Sequence, residues 1–358
     1  MCSFEEIISL RAHVKQYIVL FSINYVKLIK VISMKIAIDT LGTDGGSSEI
    51  IQGIKDFLKE YPDVEIIAYG KKEELVSLEG KCKIVDAPDI VPMEAGPLEV
   101  LHLKNSSMTR SIKDYKTENY DAIVSCGSTG GFLSASTLTL KMIPGVKRAA
   151  LVTAFPNFEK GHYTVVLDIG ASNENSPEEL YQFALMGQTY AKIILGYKEP
   201  RTYLLSNGTE DHKGSPVTQE TNKYFREHNL PYFMGNREAR DVLDGTVDVL
   251  VADGFSGNIF LKACEGTAKG MAGLMKAAFK RNIFSMIGYL FAKKGVKTIS
   301  ETMDYKAIGG AMLLGINGVV VKGHGNSDAY SVKNALKVAY KMANEKILDK
   351  IKEELSND

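Results

Sequence analysis

The residues that could do chemistry gather in six short stretches of one kind. Each follows an apolar run and mixes glycine with Asp, Asn, Ser or Thr: "DTLGTDGGSS", "SCGSTGG", "DIGASNENS", "SNGTEDHKG", "ADGFSGN" and "KGHGNSD". Glycine lets a backbone turn sharply and approach a ligand closely. Backbone N–H groups that open a following helix favour an anion. The stretches read as parts of an anion cradle. Its candidates are Asp39, Gly42 and Asp44; Gly127, Ser128, Thr129 and Gly130; Asp168, Gly170 and Ser172; Gly208 and Thr209; Gly254 and Gly257; and Asp328. Lys262, Arg110 and Lys213 are the cations placed to neutralise an anion or polarise a carbonyl. His324, flanked by Gly323 and Gly325, is the candidate for proton transfer. Each stretch alone is equally an ordinary turn after a strand, and each cation equally a surface charge. Together they carry weight because all six meet on one face if the sheet is parallel. Cys126, within the second stretch, is either a nucleophile or part of the lining.

No stretch matches GxxxxGK[ST], and none is a GxGxxG followed by a ribose-binding acid, so the loops do not name a nucleotide. Phosphate or a phosphate-bearing substrate is the more economical ligand. There is no HExxH, DxDxDG or CxxC, so no metal site is indicated and no cofactor is implied. Lysine plus arginine equals aspartate plus glutamate, 43 each, which gives no support for nucleic-acid binding.

The elements that must hold these loops are legible. Short apolar runs, including 35–39, 64–69, 83–86, 122–126, 149–154, 163–169, 201–206, 247–252 and 319–322, alternate with helical patterns. That alternation predicts a doubly wound α/β/α sandwich around a mostly parallel sheet. Ligands of such sheets bind at the carboxyl ends of the strands. The segment 257–297 carries no strand and includes the apolar "NIFSMIGYLFAKKG". It reads as a helical hairpin, either a buried core or dimer contact, or a tip that touches a membrane. Residues 1–33 are too charged for a confident transmembrane helix and lack a signal-peptide cleavage site. They read as an extension before a domain at 34–358. Four scattered cysteines suit a reducing cytoplasm.

With these pieces assembled, the chain resembles the bacterial phosphate acyltransferases of phospholipid synthesis, the acyl–acyl-carrier-protein:phosphate acyltransferase family. The matching motifs include "MKIAIDTLGTD", "NSSMTRSI", "GSTGGFLSAS", "GTEDHKG", "VDVLVADGFSGNIFLKACEG" and "IGGAMLLGINGVVVKGHGNSDAYSVKNA". The resemblance implies a fold related to phosphotransacetylases and the isocitrate dehydrogenase class, in a homodimer. It implies transfer of a long-chain acyl group from acyl carrier protein to inorganic phosphate, with peripheral membrane association near the next acyltransferase. Lys262, His324, Asp253 and Asn258 become the catalytic candidates. Phosphate is then the nucleophile, and no enzyme-bound acyl intermediate is required. Thr43 and Gly45 depart from the family's usual "MGGDHAP", and Ser128, Ser172 and Ser206 stand where it usually has Asn. These departures keep two alternatives open: a related enzyme with another donor such as an acyl-CoA, or a catalytically diverged scaffold. A dinucleotide oxidoreductase is a weaker alternative, because the fingerprint is missing. Because the family generally carries a small residue at position 126, Cys126 reads as an apolar filler. A Cys126→Ala protein is expected to keep phosphate-dependent thioester turnover, and complete loss would restore the thiol mechanism.

Overall fold

The computed structural model describes residues 33–43, 45–92, 95–302 and 309–356. Except for Ser33, the extension at 1–33 lies outside them, as does Asp44. Among the described residues eleven strands form one sheet. They are β1 (Lys35–Asp39), β2 (Glu65–Gly70), β3 (Lys83–Asp86), β4 (Ala122–Ser125), β5 (Ala150–Pro156), β6 (Tyr163–Leu167), β7 (Thr202–Ser206), β8 (Phe233–Glu238), β9 (Val249–Val251), β10 (Ala311–Leu314) and β11 (Val320–Lys322). The α-helices are α1 (Ser47–Glu60), α2 (Lys72–Leu75), α3 (Pro97–His102), α4 (Ser107–Thr117), α5 (Thr129–Leu140), α6 (Pro177–Tyr190), α7 (Pro216–Glu227), α8 (Gly254–Lys280), α9 (Ile283–Thr302), α10 (Ala329–Asn344) and α11 (Ile347–Ser356). The central strands are Val, Ile and Leu runs buried on both faces, as a sheet covered by helices requires. Among the described residues no helix is long and apolar enough to cross a membrane.

The strand order is β3-β2-β1-β4-β11-β10-β5-β6-β9-β7-β8. One parallel block is β3, β2, β1, β4 and β11, and a second is β6, β9, β7 and β8. Between them the pairings β11–β10, β10–β5 and β5–β6 are antiparallel. The fold is α/β and mostly parallel, but the two parallel blocks run in opposite directions. The six glycine-rich loops therefore do not meet on one face. The loops after β1, β4 and β11 lie at one edge, and those after β6, β7 and β9 lie at the opposite edge. The cause is local: six residues separate β5 from β6, too few for a parallel crossover, so the two strands form a hairpin.

Two strands escape the sequence reading. β8 is an edge strand with the polar sequence "FMGNRE", and β10 is four residues just beyond the glycine pair Gly309–Gly310. The helical excursion at 257–297 falls on α8 and α9. A buried core helix does not describe the hairpin. Ile283, Phe284, Leu290 and Phe291 are exposed, with Phe291 at 87%.

The first turn of α8 is pressed against the loop after β6. A Cβ on Gly254 would overlap the Ser172 carbonyl, and one on Gly257 the Asp168 carbonyl. These glycines permit backbone to approach backbone. Gly257→Ala is expected to lower the unfolding free energy by about 1–3 kcal/mol, as overpacking does. The exposed Gly273, with nothing within 4 Å of a built Cβ, serves as control. Gly273→Ala should be neutral or stabilise by up to about 1 kcal/mol through helix propensity. Urea melts of the two variants decide this.

Candidate active site

At the edge formed by β1, β4 and β11, three residues lie side by side at the strand ends. Asp39 pairs in register with Ser125, and Ser125 with Lys322. Asp39 is fully buried. Its carboxylate accepts from Ser107 Oγ (2.5 Å), Ser125 Oγ (2.7 Å) and the Leu41 N–H (3.1 Å). Burial pushes its pKa up, while these donors and Lys322 oppose the shift. Lys322 is the opposite case. Burial pushes its ammonium pKa down, against the pull of Asp39. Its Nζ donates to the Gly323 carbonyl. The two buried groups stand two strands apart with Ser125 between them, and each is held by partners of its own, serines and backbone for Asp39 and backbone for Lys322.

Four helices begin above this row. Gly46 precedes α1, and Ser106 Oγ caps α4 at the Thr109 N–H. Ser128 Oγ caps α5 at the Gly131 N–H, and Asp328 Oδ1 caps α10 at the Ser331 N–H. Their partial positive ends and free N–H groups make this edge the better anion site of the two. Gly42, with φ +78°, brings its loop against the Cα of Gly127, leaving only 3.3 Å for a Cβ. Thr129 and Gly130, at the mouth of α5, are exposed. Arg110 is exposed one turn along α4 and pairs with Asp114 at 3.5 Å. His324 follows Lys322, and its Nε2 lies 3.8 Å from Glu265 Oε1. Burial pushes the Glu265 carboxyl up, with Lys262 opposing the shift.

The opposite edge is organised around Asp168. Its buried carboxylate accepts the N–H groups of Leu151, Gly170, Ala171 and Ser172 and the hydroxyl of Ser172. Burial pushes its pKa up against the pull of these bonds. Asp253 caps α8 through the Ser256 N–H (2.8 Å), and Asn258 packs on Gly170, where a Cβ would stand 3.3 Å away. Gly208, Thr209 and Lys213 form a loop whose hydrogen bonds run to α7 and β8. Asn222 donates to Asp211, and Asn236 to the Glu210 carbonyl. Thr209 and Lys213 are exposed. Helix α8 links the two edges. It starts beside Asp168, carries Lys262 exposed in its third turn, and brings Glu265 to His324. Asn258 and Glu265 are about 10 Å apart along the axis.

The three serine departures take definite places. Ser128 caps a helix, where serine serves about as well as asparagine. Ser172 Oγ donates to Asp168 Oδ2 (2.8 Å) and stands 3.0 Å from Asn175 Oδ1. Ser206 Oγ is buried without a hydrogen-bond partner among the described residues. Cys126 is fully buried, and burial pushes its thiol up, as befits a filler rather than a nucleophile. Lys322, Ser125, Ser107 and Glu265 are missing from the sequence-derived candidates. The first two carried a signal, being polar residues at the ends of apolar runs. Glu265 carried none, since only the fold brings it to His324. Among the described residues, no group of three or more His, Cys, Asp or Glu side chains is placed to hold a metal ion.

Comparison with known proteins agrees with this arrangement. A family model described as fatty acid synthesis protein matches residues 34–350. The phosphate acyltransferase of Thermosipho melanesiensis is 41% identical over 325 residues, covering 90% of this chain and 97% of that protein. The phosphate acyltransferase of Halothermothrix orenii is 38% identical, covering 91% and 99%. Among solved structures, a phosphotransacetylase from Streptococcus pyogenes superposes with TM-score 0.56 at 18% identity, covering 87% of this chain and 94% of that one. A branched-chain phosphotransacylase from Enterococcus faecalis gives 0.56 at 15% identity, covering 87% and 99%. At those identities the structures speak for the fold alone. The sequence relatives and the family match together establish that the chain belongs to the fatty acid synthesis protein family, that of the phosphate acyltransferases.

Proposed function

We propose that the chain transfers a long-chain acyl group from the thioester of acyl carrier protein to inorganic phosphate, giving acyl phosphate and the free carrier thiol. The observation that carries this reading is the edge of β1, β4 and β11, where four helix N-termini open above Lys322 with His324 alongside. Phosphate placed there meets backbone N–H groups and a buried cation. Asp39 already spends its acceptors on Ser107, Ser125 and Leu41, so its role is to fix the cradle. Asp328 and Ser128 do the same for α10 and α5.

The chemistry needs little more. A phosphate oxygen attacks the thioester carbonyl, and the charge that builds on the carbonyl oxygen needs a preorganised donor or cation. The C–S bond then breaks. The proton lost by hydrogen phosphate is the one the departing thiolate takes up, and His324 is assigned to carry it. Lys262, on the exposed side of α8, is assigned to the incoming carrier protein or to the developing negative charge. Asp253 and Asn258 hold the start of α8 against the Asp168 loop and so fix where Glu265 and Lys262 stand. Thr209 and Lys213 are assigned to the periphery of the substrate path. The exposed apolar side chains of α8 and α9 support peripheral membrane contact or a homodimer contact.

The deciding assay incubates the protein with palmitoyl carrier protein and follows the thioester by mass spectrometry. Loss that depends on phosphate is expected, and equal loss without phosphate removes the proposal. An acyl-CoA panel run in parallel tests the alternative donor. His324→Gln should lower kcat by roughly 10²–10⁴-fold, the usual range for a proton-transfer group. Lys322→Met, similar in length, should raise the KM for phosphate and lower kcat. Removal of one electrostatic stabiliser costs roughly 10²–10³-fold. A Lys322→Met enzyme with unchanged phosphate dependence would place the anion elsewhere.

A further inference from the structure

A half-open groove of about 380 Å³ runs beside α8, between that helix and the stretch 239–243. Its walls are mainly apolar, made by Phe155, Phe158, Leu243, Phe260 and Cys264. Phe155 and Phe260 meet edge to face at 6.1 Å and form the floor. One carboxyl, Glu265, belongs to both the groove and the catalytic edge, since it lines the groove and stands 3.8 Å from His324 Nε2. The phosphate cradle does not use this groove.

We infer that the groove receives the hydrocarbon chain of the acyl donor, with the thioester at the Glu265–His324 end and the chain lying along α8 over Phe260. The inference rests on the transfer reading above and names the subsite that reading leaves unassigned. Three observations select an acyl chain. The volume lies within the range of small-molecule sites and is far larger than one phosphate needs. The walls offer aromatic and aliphatic surface, which a hydrocarbon matches and a nucleotide headgroup does not. The groove's single acid stands next to the histidine that serves the leaving thiolate, so a thioester carbonyl bound there has its first methylenes directed past Glu265. Glu265 is half-buried there, and burial pushes its carboxyl up. Each methylene that leaves water for the groove should improve binding roughly three- to fourfold. The groove thus reads chain length, while the strand-end edge reads phosphate.

Two measurements on the full chain test this. Ala268, which also lines the groove, is changed to Phe, and carrier-protein thioesters of six to sixteen carbons are compared in the presence of phosphate. The expected result is a preference moved toward shorter donors, with a raised KM for the longest and kcat for the shortest retained. An unchanged profile overturns the inference, and so does a change of oligomeric state with an unchanged profile, which would seat a second copy in the groove. The second measurement needs neither a variant nor turnover. Cys264 is half-buried in the groove wall, with its thiol pushed up to about 11 by burial. Cys82, also pushed up to about 11, lies outside the groove. N-ethylmaleimide labelling of both is followed by peptide mass spectrometry with palmitate or hexanoate present. Palmitate should slow Cys264 severalfold, hexanoate should have little effect, and Cys82 should be unchanged. Equal Cys264 rates under all conditions overturn the inference. If the wild-type protein shows no phosphate-dependent turnover, the transfer reading fails, and Cys264 protection still decides for or against the groove.

Discussion

The hairpin between β5 and β6 sets the direction of four of the eleven described strands. Six residues cannot cross a sheet and return parallel, so β6 runs back along β5. Every strand that pairs outward from β6 keeps that reversed sense. The sheet therefore has catalytic-looking loops at two opposite edges, and the helices divide between them. The edge of β1, β4 and β11 holds the buried charges and four helix starts. The other holds the Asp168 carboxylate, saturated by its own loop and the Leu151 N–H. Similar composition in the two sets of loops conceals different surroundings, with one set beside Asp39 and Lys322 and the other locking the first turn of α8 in place.

Asp39 and Lys322 are both buried at the first edge, on either side of Ser125. Removing two charges from water is costly, and the cost is tolerated only when the remaining acceptors and donors are used. Here Ser107, Ser125, the Leu41 N–H and the Gly323 carbonyl use them. Those partners come from α4, β4, the loop after β1 and the loop after β11. The two sets of bonds thereby tie together four segments that are distant in sequence and adjacent at the site.

Much of this was legible in the residues. The apolar runs marked most of the strands, and the glycine-rich stretches marked their carboxyl ends. What escaped was whatever depended on pairing sense. β10 is four residues beside glycines, too short to carry a period, yet it is one of the strands through which the direction reverses. β8 is polar because it lies at the sheet's edge. Lys322 looked like the end of a strand, and only the register of β1, β4 and β11 sets it in a row with Asp39 and Ser125. Glu265 lay on a helix with nothing nearby in sequence to single it out. The glycines of "ADGFSGN" were legible as close-approach residues, but what they approach is the chain's own backbone.

That close approach has a mechanical consequence. Helix α8 is clamped over its first turn and extends about 40 Å from the clamp, so it behaves as a cantilever with its pivot at Gly254 and Gly257. A rotation of about 5° at the pivot would carry Glu265 by about 1.5 Å and Lys280 by about 3.5 Å, given the rise per residue of a helix. A load on the apolar hairpin at the far end is thus geared down before it reaches His324. The stiffness of the Asp168 loop sets how much of any such movement the Glu265–His324 contact feels.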